Sequence, residues 1–170
     1  MTSSRTLTRD LTLPGMIAAG AAGISLLARI EIPFVPVPFT LLTLGAMLAG
    51  VILGRQRGTG ATLLWIVAGT AGLPVFAGGK LGPSVLFGPT GGYILALPLV
   101  VTGWSLVARR FSWSALLVAG ASSVLHLLVG TLWLATFVGG ERALAVGFLP
   151  FLGAEALKGA VAFAVSRIRG

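Results

Sequence analysis

Long apolar runs, broken by glycine, proline or arginine, divide the chain into six stretches with the character of membrane helices. They lie at about 11–30, 40–54, 59–73, 91–108, 113–137 and 148–166. The second and third are short. At 1.5 Å per residue, a helix of about fifteen residues covers about 22 Å of a hydrocarbon core about 30 Å thick. Both are therefore expected to extend into flanking loops or to sit where the bilayer is thin. GRQRG (54–58) predicts a sharp turn between them at one membrane face, and GGER (139–142) a short connection between the fifth and sixth. Residues 1–10 are polar and read as a flexible or interfacial arm.

Two connections do not read as ordinary solvent loops. EIPFVPVPFT (31–40) carries Pro33, Pro36 and Pro38, each without an amide donor and each restricting the residue before it to extended geometry. It is expected to be a stiff loop outside the bundle, either a rigid connector or, through Phe34, Val35 and Phe39, a cover over something apolar. PVFAGGKLGPSVLFGPTGG (74–92) is rich in glycine yet still largely apolar. Irregular backbone at membrane depth is tolerated only where protein or a cavity covers it. This segment therefore predicts a partly inserted loop lining a site, with Gly78 and Gly88 among the glycines that allow main chain to approach a ligand and Lys80 at its tip.

Composition settles the class. The chain has 170 residues, 56% of them hydrophobic and 9% charged, with a mean hydropathy of +1.01. A soluble domain carries about 25% charged residues, so most of this surface must face lipid. The expectation is an all-α membrane protein in one domain over 1–170, a compact bundle of six transmembrane helices. Arg5 and Arg9 precede an apolar run, but further spans follow, which does not fit a cleaved secretion signal. The absence of cysteine excludes disulfides, thiolate catalysis and cysteine metal sites.

The net charge of +8 matters through its distribution. With the N-terminus inside, the inner face receives Arg5, Arg9, Arg55, Arg57, Arg109, Arg110, Arg167 and Arg169 against Asp10 alone, a net of +7. The outer half receives Arg29, Lys80, Arg142 and Lys158 against Glu31, Glu141 and Glu155, a net of +1. This positive-inside bias places both termini in the cytoplasm. The two irregular loops and the start of the sixth span then gather at the outer end, which predicts an outward-facing pocket covered by the proline-rich and glycine-rich loops.

Glu155 and Lys158 are the leading candidates for a functional role there, because neither belongs in lipid. Three apart on a helix, they share a face. An intramembrane ionisable pair points to a functional site, with a helix-packing ion pair as the competing reading. A lysine can pair with a carboxylate on a small molecule, and Glu155 can accept ureido or amide N–H groups. Trp65, Trp104, Trp133 and Tyr93 could supply apolar wall, or serve as core packing and interface anchors. His126 has no second metal ligand at helical spacing and reads as a hydrogen-bonded packing histidine, so no metal site is expected. AAGAAG (18–23) pairs Ala18 with Ala22 and Ala19 with Gly23 at four-residue spacing, which leaves a shallow groove for another helix. That spacing by itself suits a neighbouring span better than another subunit. No phosphate-binding GxxxxGK[ST] motif is present, no nucleophile–base arrangement is apparent, and no repeat suggests an inverted-repeat carrier. Nothing here is catalytic.

Taken together, IPFVPVPFT (32–40), GLPVFAGG (72–79), GPTGGY (88–93) and PFLGAEALKG (150–159) resemble BioY, the biotin-specific substrate-binding (S) component of energy-coupling factor transporters, over about residues 15–166. The resemblance implies a six-helix subunit of the prokaryotic cytoplasmic membrane, not an enzyme, that captures biotin from outside. It implies a lid after the first helix and toppling within the bilayer to release biotin inward. The implied partners are a transmembrane coupling subunit and a pair of ABC-type ATPases, on which alone ATP and Mg would be bound. Some members are implied to take up biotin without a dedicated ATPase module. No covalently bound cofactor and no nucleic acid are implied. The resemblance reassigns Ala18, Ala19, Ala22 and Gly23 to docking on the coupling subunit. It places Lys158, Glu155, Pro36, Phe39, Thr40, Gly78, Gly88, Thr90 and Tyr93 at the substrate.

The chain departs from the family pattern at several positions. Glu155 stands where the family has aspartate, Leu42 where it commonly has glutamine, and Gly78 where an asparagine is common. FLGAEALK lacks the internal proline of the usual PFLPGDLLK. The alternatives are an S component for a different small vitamin, motivated by Leu42 and Glu155, and a membrane scaffold without transport.

Overall fold

The computed structural model describes residues 3–33, 36–109 and 112–169, with side chains from 12–33, 36–107 and 112–168. Phe34 and Val35 of the proline-rich loop, Arg110, and the side chains of Arg5, Arg9, Asp10, Arg109 and Arg169 lie outside the described residues. α1 (Ser3–Arg29) begins well before Leu11, so most of the segment expected as an arm is helical instead. α2 (Leu42–Thr70) contains both short spans. The turn between them is tighter than the five-residue motif predicts: Gly54 alone, at φ 77° and ψ 178°, interrupts the helix. That left-handed φ is open to glycine and strained for other residues.

α3 (Ser84–Phe87) is a single turn inside the glycine-rich segment. The expected fourth span is two pieces, α4 (Gly91–Leu95) and α5 (Leu97–Arg109). Pro98, which has no amide to donate, follows the break at once. α6 (Trp113–Val138) is capped by the Ser112 hydroxyl, which accepts from the Ala115 amide at 3.1 Å. The expected connection over 139–142 is itself helical: α7 (Gly140–Ala143) passes through a wide π turn over 144–148 into α8 (Leu149–Arg169). Among the described residues, Thr12–Arg29, Trp113–Val138 and Gly140–Ile168 are long and apolar enough to cross a bilayer, and Gly91–Val107 is a shorter apolar helix.

The packing is that of a membrane bundle. α2 makes its main contacts with α1 and α5, and small residues let the backbones close up. A Cβ at Gly50 would fall 2.5 Å from the Val101 carbonyl oxygen, so α2 and α5 meet there main chain to main chain. The principal core surrounds Met47, Trp65, Phe76, Leu97, Val100 and Val101. A second cluster, Val37, Tyr93, Leu127, Leu134, Ala143 and Phe151, joins the proline-rich loop to α4, α6 and α8. Leu117, Leu125 and Leu132 on α6 and Leu157 on α8 are exposed, as a lipid-facing surface requires.

Both unusual loops are tied by specific contacts at their ends. The ends of the proline-rich loop pair as an antiparallel ladder of β1 (Glu31–Ile32) and β2 (Phe39–Thr40), with Glu31 opposite Thr40 and Ile32 opposite Phe39. The glycine-rich segment is held to the bundle at both ends. The Trp65 indole donates to the Val75 carbonyl at 3.1 Å, and its ring meets Phe76 edge-on at 5.0 Å. The Trp133 indole donates to the Gly88 carbonyl at 2.9 Å. The Arg29 guanidinium donates to the Pro74 carbonyl, which ties the end of α1 to the start of the segment. Trp104 and Trp133 are therefore packing anchors; Trp104 donates to the Ser123 hydroxyl at 3.2 Å.

Candidate functional site

Helix spacing puts Glu155 and Lys158 on one face of α8, and the bundle buries that face: the residues are 6% and 9% exposed. Lys158 Nζ lies 2.8 Å from Glu155 Oε1. The third member of the site is Thr43, on the first turns of α2 and also buried. Its hydroxyl donates to Glu155 Oε1 at 2.6 Å and accepts from Lys158 Nζ at 2.7 Å. The three groups close a ring of charge-assisted hydrogen bonds. A buried ion pair needs such partners to offset its desolvation.

This ring sits in the wall of a cavity with about 670 Å³ of empty space, its open mouth included. Val37, Pro38 and Thr40 line it from the proline-rich loop, and Phe76, Ala77, Lys80, Val85 and Thr90 from the glycine-rich segment. The remaining wall includes Leu42, Trp65, Tyr93, His126, Leu127 and Phe151. Tyr93 offers its ring rather than its hydroxyl, which donates to the Gly147 carbonyl at 2.8 Å and lies 3.1 Å from the Thr131 hydroxyl. Mostly apolar walls with a few convergent polar groups describe a small-molecule site.

Of the residues predicted for the substrate site, Lys158, Glu155, Thr40, Thr90 and Tyr93 line this cavity. Four others do not line it. Pro36 is half-buried away from the wall, where Val37 and Pro38 take its place. Phe39 stacks on Phe151 at 4.2 Å and so backs the wall. Gly78, at φ 64°, faces Glu31, whose Oε1 would lie 2.8 Å from an added Cβ. Gly88 spends its carbonyl on Trp133. Conversely, Thr43, Phe76, Val37 and Phe151 enter the site without having been singled out. His126 is hydrogen-bonded to the Tyr93 carbonyl at 3.0 Å, as expected of a packing residue, but it also faces the cavity.

One contact makes the wall sensitive to a single carbon. A Cβ at Gly130 would lie 2.1 Å from the Tyr93 ring. Gly130→Ala is expected to push that ring out of place, costing about 1–3 kcal/mol of stability as overpacking does and weakening ligand binding with it. Thermal melting of the purified protein, with and without ligand, checks this; an unchanged melt and affinity would show that the ring can yield.

The predicted docking residues occupy a separate face. Ala18, Ala19 and Ala22 are exposed on α1, and Gly23 is half-buried. Ala19 and Gly23 line a shallow groove shared with Gly45, Leu48, Ala49 and Ile52 of α2. Gly20 lines the same groove, where an added Cβ would meet Leu53 and Ala61 of α2, and Ala21 is buried.

Fold and site together define a membrane-embedded protein that holds one small molecule in a loop-lined cavity with a buried acid–base pair. The chain belongs to the BioY family, whose family model matches residues 1–169. It is 40% identical to biotin transporter BioY2 of Lactococcus lactis subsp. cremoris, over 84% of this chain and 81% of that protein. It is 36% identical to a probable biotin transporter BioY of Pyrococcus horikoshii, over 91% and 94% of the two chains. Its fold superposes on the crystal structure of the S-component for biotin from an ECF-type ABC transporter with a TM-score of 0.79 and 25% identity, covering 95% of this chain and 93% of that one.

Proposed function

We infer that this chain captures biotin and carries it across the membrane as the substrate-binding subunit of an energy-coupling factor transporter. The observation that carries the inference is the Glu155–Lys158–Thr43 ring in the wall of a cavity lined by both special loops, in a chain whose relatives are named biotin transporters. Titration of the purified protein in lipid nanodiscs with biotin, and in parallel with unrelated vitamins, tests it. Tight binding of biotin alone is expected. Binding of another vitamin in its place would transfer the role to that substrate.

The arginine asymmetry supports an orientation with both termini in the cytoplasm of a prokaryotic cell and the cavity facing outward. Ala18, Ala19, Ala22 and Gly23 then form a face for the transmembrane coupling subunit, small enough for close helix contact. Where ATP drives transport, its hydrolysis falls to a partner ATPase pair, since the chain carries no GxxxxGK[ST] motif.

Two cations meet the cavity, and they differ in what they can offer a carboxylate. Lys158 is buried and already paired, whereas Lys80 is exposed at the lining. Lys80 is the better partner for the valerate carboxylate of biotin. Lys80→Ala should weaken biotin up to about fivefold, as for an exposed ion pair, and leave biotinamide, whose tail is neutral, unaffected. Equal losses for the two ligands would remove Lys80 from the site.

A further inference from the structure

Two buried side-chain atoms have no hydrogen-bond partner among the described residues: Glu155 Oε2 and His126 Nδ1. Both residues line the cavity. Buried polar atoms are nearly always satisfied, and such exceptions mark groups that have work to do with something else.

The chemistry of each orphan follows from its other end. His126 Nε2 lies 3.0 Å from the Tyr93 carbonyl oxygen, which can only accept. Nε2 therefore carries the proton, and Nδ1 of the neutral ring is an acceptor. Oε2 of the Glu155 carboxylate is an acceptor as well. Lys158 has three N–H groups, of which one goes to Thr43 Oγ1 and one to Glu155 Oε1, leaving one to donate. Glu155, His126 and Lys158 thus present the cavity with two acceptors and one donor. A five-membered cyclic urea carries the inverse set, two N–H groups flanking one carbonyl. Its N–H and C=O lie side by side, as do Glu155 and Lys158.

We propose that His126 is a specificity-determining contact, its Nδ1 accepting one ureido N–H of bound biotin while Glu155 Oε2 accepts the other and Lys158 donates to the ureido oxygen. This rests on the biotin reading above and adds to it a residue on α6 that pure packing would not use. It also sets the ligand's direction, with the urea at the buried ring and the carboxylate tail towards Lys80.

The test is calorimetric binding to nanodisc-embedded wild type, His126→Phe and His126→Gln. The ligands are biotin and two cyclic carbamate analogues, each with one ureido N–H replaced by ring oxygen. Wild type is expected to bind each analogue roughly ten- to a hundredfold more weakly than biotin, as for a buried acceptor deprived of its donor. His126→Phe is expected to weaken biotin by a similar factor and to lose discrimination against one analogue only. His126→Gln, whose amide oxygen still accepts, keeps part of that discrimination and covers the case in which phenylalanine disturbs the fold. Losses by the same factor for all three ligands in both variants would make His126 a packing residue and overturn the proposal. Wild type that binds the analogues as tightly as biotin overturns the contact and leaves biotin capture standing. Wild type that binds none of the three overturns both.

Discussion

Lys158→Ala is expected to weaken biotin binding by between about thirtyfold and a few thousandfold, the equivalent of roughly 2–5 kcal/mol for removing one member of a buried, hydrogen-bonded charge pair. Much of that loss lies in what remains. Glu155 stays buried, its charge met only by the Thr43 hydroxyl at 2.6 Å, and an isolated carboxylate in such a place is strongly disfavoured. The one Lys158 N–H left for the ligand disappears as well. Lys158→Met, which keeps the apolar stem, should lose nearly as much, because packing is retained and charge is not. Calorimetry measures the affinity, and a melt shows whether biotin still raises the unfolding temperature of the variant. An affinity within threefold of wild type would remove Lys158 from the binding site.

Glu155→Ala should be comparably damaging, since it leaves an ammonium in the wall with Thr43 as its one remaining partner of the ring. Glu155→Asp is the informative substitution. Shortening the side chain by one carbon–carbon bond withdraws the carboxylate by about 1.5 Å. Lys158 is long and can follow. Thr43 is short and fixed on α2, so its 2.6 Å bond to the carboxylate is lost. A loss of about tenfold in biotin affinity is expected, in line with one charge-assisted hydrogen bond. A full loss, as deep as that of alanine, would show that the pocket is built around the longer acid. The double variant Glu155→Ala/Lys158→Ala should melt above either single variant, because removing both charges leaves none stranded. Additive destabilisation would show that the two do not act as a pair.

The site was legible in the sequence to the extent that its residues break a local rule. Glu155 and Lys158 stand out because ionisable groups in an apolar run violate what lipid allows. The proline and glycine segments stand out because they violate what a helix allows. Thr43 breaks no rule. A threonine in a membrane helix can satisfy itself on its own backbone, and nothing local connects position 43 with position 155. Phe76 and Phe151 are equally silent, since an aromatic in an apolar chain reads as core. Gly78 and Gly88 suit a ligand by their bare backbone, yet they do not line the cavity: an added Cβ at Gly78 would meet Glu31, and the Gly88 carbonyl accepts from Trp133. His126 combined two roles that spacing cannot separate, a hydrogen bond to main chain and a place in the cavity wall.

Hydrophobic run length, charge asymmetry and motif order by themselves determined the membrane class, the succession of six spans, the family resemblance and the acid–base pair. Each of these is a property of neighbours along the chain, where helical periodicity and the cost of charge in lipid act directly. Tertiary structure alone decided that Thr43 joins Glu155 and Lys158, and that both loops fold onto one cavity. It also decided that two buried acceptors face the same space as one donor. The first depends on groups 112 and 115 residues apart being packed to within hydrogen-bonding distance, the others on loops and helices remote along the chain closing round one space, and no local preference encodes either.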